Sequence, residues 1–496
     1  MSSRIWPLAT VAVLLAGGAV WGATQTSQAS ETRSKHGHRL LVQQTQPPLL
    51  AYVPKYYEHV KPILDRSCVG CHSAGNIGPF ALETAAQVTP MARTIQKAVQ
   101  SKYMPPVTAG GSTPALWHDK RLTDNEVAII ANWAWAGAPL GKVVAPQAVL
   151  NNQKRRPDMV LTPKSEFLPD ASLTDEYRCF IFDPKLSEAR FMNAYNIVPA
   201  NKKIVHHVII FQIDKSKAEN AVQLENKTPD GRLGYPCFGG PGNNLGTPNI
   251  VGVWAPGQGR VDYPAETGTQ INPGDVLVLQ LHYNLLGGKG PDQSKAELYF
   301  APAPVKRLNS GIILAPVEIP CLGAYPTDPN DPCHRDAAYA RAARLGDGTS
   351  ALFKNPVFVN FCGSSVEQFT SGSAGQVINK CTFPMRLAPD AKLAIYGMLG
   401  HMHLLGQSIK LELIREKTSQ TILEIPRWDF HWQSSYWLEK PIDLQNGDQV
   451  RVTCQYDNSP LAQPEIGGSR VKPRYTVWGE GTVDEMCLGI LQIGQR

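Results

Sequence analysis

Three residues in the first quarter of the chain have the types and spacing that attach haem covalently. Cys68, Cys71 and His72 form a Cys-x-x-Cys-His pattern. The two thiols can each add to a haem vinyl group, and the adjacent imidazole can then bind the iron from one side; a plain metal or redox cysteine pair beside a chance histidine is the alternative. We expect Met104, on a proline-stiffened loop, to be the opposite ligand, with Met91 as second choice. The pattern therefore predicts one haem c.

A second set of residues, further along the chain, has side chains that bind copper: His206, His207, His282, His401, His403 and Met486. His206 and His207 are adjacent, so both can reach one metal only at a strand end or a bulge, and taken alone the doublet is equally compatible with a structural role. His401 and His403 project from the same face of an extended chain and can chelate one ion. A methionine such as Met486 is more often a core residue than a ligand.

The composition favours a multidomain protein with much β-structure. The chain has 496 residues, 40 prolines and 42 glycines, and only 18% of its residues are charged. That length predicts about three domains, and short β-prone runs between Gly/Pro turns after residue 158 predict sandwiches. The formal charge of +6 is dispersed rather than gathered in runs, which argues against nucleic acid as a partner.

The N-terminus and the cysteines predict export. Residues 1–29 read as a signal peptide: Arg4, an apolar run over 5–20, then small residues, with cleavage near Ala23 or Ala29. The apolar run is shorter than the ~20 residues that span a bilayer, so we expect no stable membrane insertion. Ten cysteines leave eight after haem attachment, enough for four disulfides. An oxidising compartment that also suits haem c is the periplasm.

The chain divides into a helical unit and a β-rich remainder. Residues 50–142 resemble a small class I cytochrome c and end in a helix over 122–135, with Thr123 or Asp124 as its N-cap. Residues 143–157 are expected to form a linker.

Seven segments after Asp158 occur in an order that carries a family resemblance. They are Trp254-Ala-Pro-Gly, Leu279-Gln-Leu-His-Tyr, Gly400-His-Met-His, Trp428-Asp-Phe-His-Trp-Gln, Asn446-Gly-Asp-Gln-Val, Thr453-Cys-Gln-Tyr-Asp and Asp484-Glu-Met-Cys. This part of the chain resembles the copper type II monooxygenases, the family of peptidylglycine α-hydroxylating monooxygenase and dopamine β-monooxygenase. The resemblance implies two antiparallel, jelly-roll-like β-sandwich domains, at 158–305 and 306–496, which face each other across a solvent-filled cleft with one copper each.

The resemblance also implies a role for each ligand. His206, His207 and His282 would hold the first copper, which relays an electron. His401, His403 and Met486 would hold the second copper, where the thioether favours Cu(I) and O₂ binds next to substrate. His431 matches no ligand position and is interpreted as a strand-packing residue.

Disulfide pairs follow partly from the same resemblance, which implies Cys179–Cys237 and Cys454–Cys487. Four further cysteines, in the segment before His401, permit three connectivities. We expect Cys321–Cys333 and Cys362–Cys381.

Three apolar residues separate the chain from the peptide-hydroxylating members. Leu399, Leu488 and Ile490 stand where those members carry an arginine, an asparagine and a tyrosine that anchor a substrate carboxylate. An apolar trio cannot pair a carboxylate, and leaving that charge unpaired would cost several kcal/mol. We therefore expect a neutral, fairly apolar small-molecule substrate rather than a glycine-extended peptide.

The expected activity is a copper-dependent hydroxylation with O₂, with electrons supplied through the chain's own haem by an external donor in place of ascorbate. Two alternatives stay open. One is a copper-binding electron-transfer protein without hydroxylase activity. The other is a haem-linked copper oxidase that does not insert oxygen.

Overall fold

A computed structural model describes most of the chain after residue 49. The described residues are 50–74, 78–106, 108–144, 155–237, 240–242, 244–246, 248–256, 258–285, 288–344, 353–371, 376–430, 432–466 and 469–496. The expected signal peptide, residues 145–154 of the expected linker, and His431 lie outside this set. Within it, none of the helices has the length and apolar character needed to cross a bilayer.

The first unit is helical. It contains a π-helical turn and a 3₁₀ turn, at Tyr56–Val60 and Thr89–Met91, and the helices α1 Lys61–Ser67, α2 Ala85–Val88, α3 Ala92–Gln100 and α4 Asp124–Trp135. Thr123 is the N-cap of α4: its hydroxyl accepts from the Glu126 N–H, and the Glu126 carboxylate accepts from the Thr123 N–H. This reciprocal pair satisfies two of the helix's free N–H groups. Of the two N-cap candidates, Thr123 is therefore the correct one.

Ten strands and one helix build the first β-rich unit. They are β1 Met159–Leu161, β2 Asp175–Phe182, β3 Arg190–Val198, β4 Val205–Ile213, α5 Lys215–Asn226, β5 Tyr235–Pro236, β6 Asn249–Trp254, β7 Val261–Asp262, β8 Thr267–Ile271, β9 Val276–Asn284 and β10 Lys295–Phe300. One sheet has the order β5-β2-β9-β4-β6. Its central strand, β9, is buried along almost its whole length, as expected for a strand covered on both faces.

In its described residues, the second β-rich unit has twelve strands and three helices. They are β11 Lys306–Leu314, β12 Glu318–Ile319, α6 Arg335–Arg344, α7 Pro356–Phe361, α8 Val366–Thr370, β13 Gln376–Pro384, β14 Leu393–His401, β15 Gly406–Arg415, β16 Thr418–Ile425, β17 Tyr436–Asp443, β18 Gln449–Asp457, β19 Glu465–Ile466, β20 Ser469–Arg470, β21 Thr476–Val477 and β22 Leu488–Gln495. A four-stranded sheet runs β13-β18-β15-β16.

A shared sheet joins the two β-rich units. Its order is β1-β10-β3-β8-β11-β22-β14-β17, with β7 added on β3. The junction is the short parallel pairing of β8 with β11, in which Lys306 and Arg307 lie opposite Thr267 and Gly268. Because backbone hydrogen bonds cross this junction, the two sandwiches are parts of one continuous β-structure.

The four expected disulfides are confirmed. They are Cys179–Cys237, Cys321–Cys333, Cys362–Cys381 and Cys454–Cys487. Cys68 and Cys71 are the two cysteines outside disulfides in the described part of the chain.

An extended segment of the first unit, residues 108–118, pairs with the second sandwich. The Gly110 N–H donates to the Glu424 carbonyl over 2.6 Å, and the Trp117 N–H donates to the Trp437 carbonyl over 2.8 Å. Leu116 forms an antiparallel bridge with Leu438. These backbone bonds hold the helical unit against the second sandwich.

Candidate metal centres

The first histidine cluster is built by a β-bulge. On β4, the register against β9 shifts between Val205 and His207, so His206 is the extra residue and His207 lies opposite His282. The predicted bulge is therefore confirmed. The Nδ1 atom of His207 lies 3.4 Å from Nδ1 of His206 and 3.2 Å from Nδ1 of His282. The three imidazoles thus turn the same ring nitrogen toward one point, with possible ligand atoms all within 4.8 Å of one another.

A buried carboxylate fixes the third imidazole of this cluster. Asp175 Oδ1 accepts from His282 Nε2 over 2.8 Å and from the Thr482 hydroxyl over 2.6 Å. Burial acts to raise the pKa of Asp175, but these hydrogen bonds outweigh it and lower the pKa below its ordinary value. With its proton on Nε2, His282 keeps the Nδ1 lone pair for a metal. Tyr177 stacks on the same imidazole, 4.2 Å between ring centroids.

The second cluster uses the opposite ring nitrogens. His401 ends β14, and its Nδ1 lies 2.6 Å from Gln433 Oε1; the Gln433 amide nitrogen donates to the Phe430 carbonyl, so its oxygen faces His401. His403 Nδ1 lies 3.1 Å from the Asp484 carbonyl, which can only accept. Both imidazoles therefore carry their proton on Nδ1 and leave Nε2 for a metal. Their ring centroids are 5.0 Å apart.

Met486 lies on the loop that holds His403. The carboxylate of its neighbour Glu485 accepts from the His403 N–H over 2.8 Å and from the Leu405 N–H. The Tyr456 hydroxyl donates to the Met486 carbonyl over 2.7 Å. The Met486 side chain is 5% exposed and belongs to the core of the second sandwich, so its position is fixed by packing as well as by hydrogen bonds.

The two clusters lie close together. The ring centroids of His207 and His401 are 6.5 Å apart. Phe430 stacks on His206 at 4.4 Å and also contacts the His403 ring at 5.7 Å. The structure differs here from the expected solvent-filled cleft, because the aromatic side chain of Phe430 fills space between the clusters and the shared sheet draws the sandwiches together.

Burial keeps the imidazoles of His207, His401 and His403 neutral. It lowers the pKa of His401 to about 4, and it lowers the pKa of His207 and of His403 well below the usual range. A neutral imidazole is the form that binds a metal. Three imidazole nitrogens at the first cluster, and two at the second with Met486 on the loop that holds His403, are donor sets that fit copper.

The Cys-x-x-Cys-His segment lies at the end of α1. Cys68 is the C-cap of this helix, and His72 Nδ1 lies 3.0 Å from the Phe80 carbonyl, which leaves His72 Nε2 as the available ligand atom. A Cβ added at Gly78 would lie 2.6 Å from His72 Nδ1, so this close approach requires glycine. Burial raises the pKa of the Cys68 thiol to about 12.

The two axial-ligand candidates have different surroundings. Met104 is half-buried in the loop after α3, where its N–H donates to the Ala98 carbonyl. Met91 packs against the helical core. Because Met91 already contributes to this packing, Met104 stays the predicted ligand.

The apolar trio lies beside the second cluster, at the contact between the sandwiches. Leu399 on β14 pairs with Ile490 on β22, and His401 pairs with Leu488. Leu399 and Ile490 are 5% and 6% exposed and share a hydrophobic cluster with residues of the first sandwich.

The β-rich part of the chain matches two family models. Residues 165–289 match the N-terminal domain of copper type II ascorbate-dependent monooxygenases, and residues 373–492 match the C-terminal domain. The β-rich part of the chain is therefore similar to both domains of the copper type II ascorbate-dependent monooxygenase family.

Curated relatives agree with these matches. The chain is 23% identical to human dopamine beta-hydroxylase over 331 residues, which covers 63% of this chain and 42% of that protein. It is 21% identical to human DBH-like monooxygenase protein 1, covering 75% and 55%, and 21% identical to tyramine beta-hydroxylase of Caenorhabditis briggsae, covering 60% and 40%. The chain thus spans 40% to 55% of the length of these relatives.

Solved structures add little to this comparison. An allantoicase is 12% identical, with 61% of this chain and 78% of that chain covered, at a TM-score of 0.15. A recombinant PNGase F is 8% identical, with 68% and 95% covered, at a TM-score of 0.24. Similarities this weak carry no argument.

Sequence reasoning missed the residues behind the ligands. Asp175, Thr482, Phe430 and Gln433 each contact a candidate ligand or its partner. Phe430 and Gln433 lie in one of the seven family segments, which was the available signal. Asp175 and Thr482 are 307 positions apart and carry no local pattern that could have joined them.

Proposed function

We propose that this protein is a periplasmic copper-dependent monooxygenase that hydroxylates a neutral, fairly apolar organic molecule with O₂. The observation that carries the proposal is the pair of imidazole clusters, in which each of the two sandwiches contributes one set of histidines and the rings of His207 and His401 lie 6.5 Å apart. In balance, one C–H bond and O₂, with two electrons and two protons, give one C–OH bond and water.

His206, His207 and His282 would hold one copper, and His401, His403 and Met486 would hold the other. Copper bound in these sites would supply one-electron transfer and the activation of O₂. Asp175 and Gln433 orient the imidazoles of His282 and His401 and hold their protons away from the metal. Phe430, between the clusters, excludes water from the space they share.

The substrate class follows from the apolar trio beside His401. Leu399, Leu488 and Ile490 contribute no charged or hydrogen-bonding side chain to the contact between the sandwiches. Apolar residues at these positions cannot pair a carboxylate, and leaving that charge unpaired beside them carries an energetic penalty. The class we propose is therefore a neutral, fairly apolar molecule with an activatable C–H bond.

The electron supply would be one haem c held by Cys68, Cys71, His72 and Met104 and reduced by an external donor. In support, the first unit lies against the second sandwich. The Lys102 carbonyl, two residues before Met104, accepts from the Arg427 guanidinium over 2.5 Å. The next residue, Trp428, donates its indole N–H to the His403 carbonyl over 2.9 Å. A short chain of contacts thus runs from the predicted haem loop to the second cluster.

An exported location is supported by the four disulfides, because such bonds persist in oxidising compartments. The expected signal peptide and the Cys-x-x-Cys-His pattern are the reasons for proposing the periplasm as the compartment.

The metal content of the purified, copper-loaded and desalted protein tests the proposal first. We expect about two coppers per haem, with a pyridine haemochrome spectrum characteristic of thioether-linked haem. A substrate screen under ¹⁸O₂ should then give product labelled with ¹⁸O. Label from water instead would favour an oxidase, and full metal loading without substrate-linked O₂ uptake would favour an electron-transfer protein.

A further inference from the structure

One short loop contacts both histidine clusters. We call residues Glu480–Met486 the bridging loop; it connects β21 to β22. It is closed on itself by the Asp484 N–H, which donates to the Gly481 carbonyl over 2.8 Å, and by the Gly479 N–H just before it, which donates to the Glu485 carbonyl over 3.1 Å.

Toward the first cluster, the bridging loop forms hydrogen bonds with Asp175 and Tyr177, which both contact His282. The Thr482 hydroxyl donates to Asp175 Oδ1 over 2.6 Å, the same oxygen that accepts from His282 Nε2. The Tyr177 hydroxyl donates to the Glu480 carbonyl over 3.2 Å, and its ring stacks on His282. These contacts cross from the first sandwich to the second.

Toward the second cluster, the same loop supplies a candidate ligand and holds another. Met486 is its last residue. The Asp484 carbonyl accepts from His403 Nδ1, and the Glu485 carboxylate accepts from the His403 N–H. The loop therefore determines both the ring orientation and the backbone position of His403.

The bridging loop is too tightly packed to shift at one end alone. Glu485 is fully buried and Thr482 is 4% exposed. Asp484 also accepts from Arg474 over 3.3 Å, and a Cβ at Gly479 would lie 2.8 Å from the Asp484 side chain. A displacement at Met486 must therefore be transmitted toward Thr482.

We propose that Thr482 is a positioning residue that couples the two metal sites, so that copper bound at either cluster strengthens copper binding at the other. The coupling rests on the proposed two-copper function. Metal at Met486 and His403 would fix the position of the bridging loop, and because the packed loop moves as a unit, the same position holds Asp175 and His282 in the orientation that the first site requires. Part of this positioning is then already complete when the second ion binds, and the effect must be equal in both directions.

Copper(I) titration against a chromogenic chelator under anaerobic conditions measures this coupling in the full-length protein. His401→Ala isolates the first site and His207→Ala isolates the second. The coupling factor is a ratio of association constants. It is the product of the two constants of the intact protein divided by the product of the constants of the two single-site variants. We expect a factor within the roughly 5- to 150-fold range of measured site coupling.

Thr482→Val should reduce the coupling factor to about one, because it keeps the side-chain shape but removes the hydroxyl. Thr482→Ser, which restores the hydroxyl, should restore the factor. Thr267→Val is the matched control, since the Thr267 hydroxyl is also buried but donates to the nearby Pro264 carbonyl, and the pairing of Thr267 with Lys306 uses backbone groups that the substitution leaves unchanged. Thermal unfolding of each metal-free variant separates a local effect from misfolding.

Two other results have distinct meanings. Wild-type protein that binds no copper at these histidines would contradict the proposed function itself. Two coppers bound with a coupling factor of one in wild type, or a Thr482→Val factor equal to that of wild type, would overturn the coupling while leaving the two-copper function in place.

Discussion

The two histidine clusters reach similar chemistry by different construction. In the first, a bulge on β4 and a cross-strand pair bring three Nδ1 atoms together, and the anionic Asp175 carboxylate lies behind His282. In the second, a strand end and a loop present two Nε2 atoms, and the groups behind His401 and His403 are a neutral amide oxygen and a backbone carbonyl.

The groups that accept hydrogen bonds from the histidines differ in charge between the clusters. This difference predicts different preferences for the oxidation state of copper. A carboxylate behind an imidazole makes the ligand more basic and favours the more highly charged ion, whereas neutral partners and a thioether favour Cu(I). With copper bound as proposed, the first site would therefore be suited to passing an electron, and the second to holding the reduced ion that O₂ requires. The short distance between the two clusters would not by itself assign them different roles.

The largest expected effects come from removing one ligand at each cluster. His207→Ala and His401→Ala should each lower the copper content from about two to about one per chain, and both should abolish hydroxylation. Elemental analysis and product assay measure the two outcomes. If either substitution removes both coppers at saturating metal, the clusters form a single site and are not two independent ones.

Truncating Asp175 should have the next largest effect, confined to the first site. We expect Asp175→Ala to weaken copper binding there by roughly 10- to 100-fold, because the substitution removes the group that holds the His282 tautomer. Asp175→Asn keeps an acceptor without the charge and should fall between wild type and Ala. Copper(II) titration in the His401→Ala background reports on this site alone; equal affinities for the Asn and Ala variants would rule out a role for the neutral hydrogen bond.

The matching change at the second site should cost less. Gln433→Leu removes a neutral acceptor from His401, and a neutral hydrogen bond contributes about 0.5–1.5 kcal/mol, against about 1.5–3 for one to a charged group. We expect a loss of up to about tenfold in Cu(I) affinity. The measurement is a Cu(I) titration in the His207→Ala background. A loss larger than that of Asp175→Ala would contradict the ranking of charged over neutral partners.

Local spacing predicted the candidate histidines, and the structure brings these residues together in two clusters. The His206-His207 doublet demands a bulge or strand end, and β4 supplies the bulge. The His401-x-His403 spacing places one imidazole at the last residue of β14. The disulfide partners were also expected correctly, two pairs from the family resemblance and two as one of three possible connectivities.

Contacts between distant segments could not be predicted in this way. The pairing of β8 with β11, which draws the sandwiches together, involves strands with no special composition. The pairing of residues 108–118 with the second sandwich joins positions more than 300 apart. The solvent-filled cleft was expected from family resemblance, and the position of Phe430 between the clusters shows why that expectation differs from this structure.

The smallest expected effect concerns which of the two histidine clusters is linked by contacts to the helical unit. Trp428 joins Arg427, which contacts the first unit, to His403 of the second cluster, and none of the contacts described for residues 102–118 reaches the first cluster. If electrons follow this route, Trp428→Phe should slow the anaerobic reoxidation of reduced haem by copper(II) a few-fold, because the ring stays but the hydrogen bond to the His403 carbonyl is lost. Stopped-flow absorbance of the haem α-band measures this rate.

Trp254→Phe is the matched control, since that buried indole also donates to a backbone carbonyl, of Gln258, but lies in the first sandwich. Equal rates for the two variants would mean that the second cluster is not favoured by the helical unit, and the asymmetry between the clusters would then lie in their ligands alone.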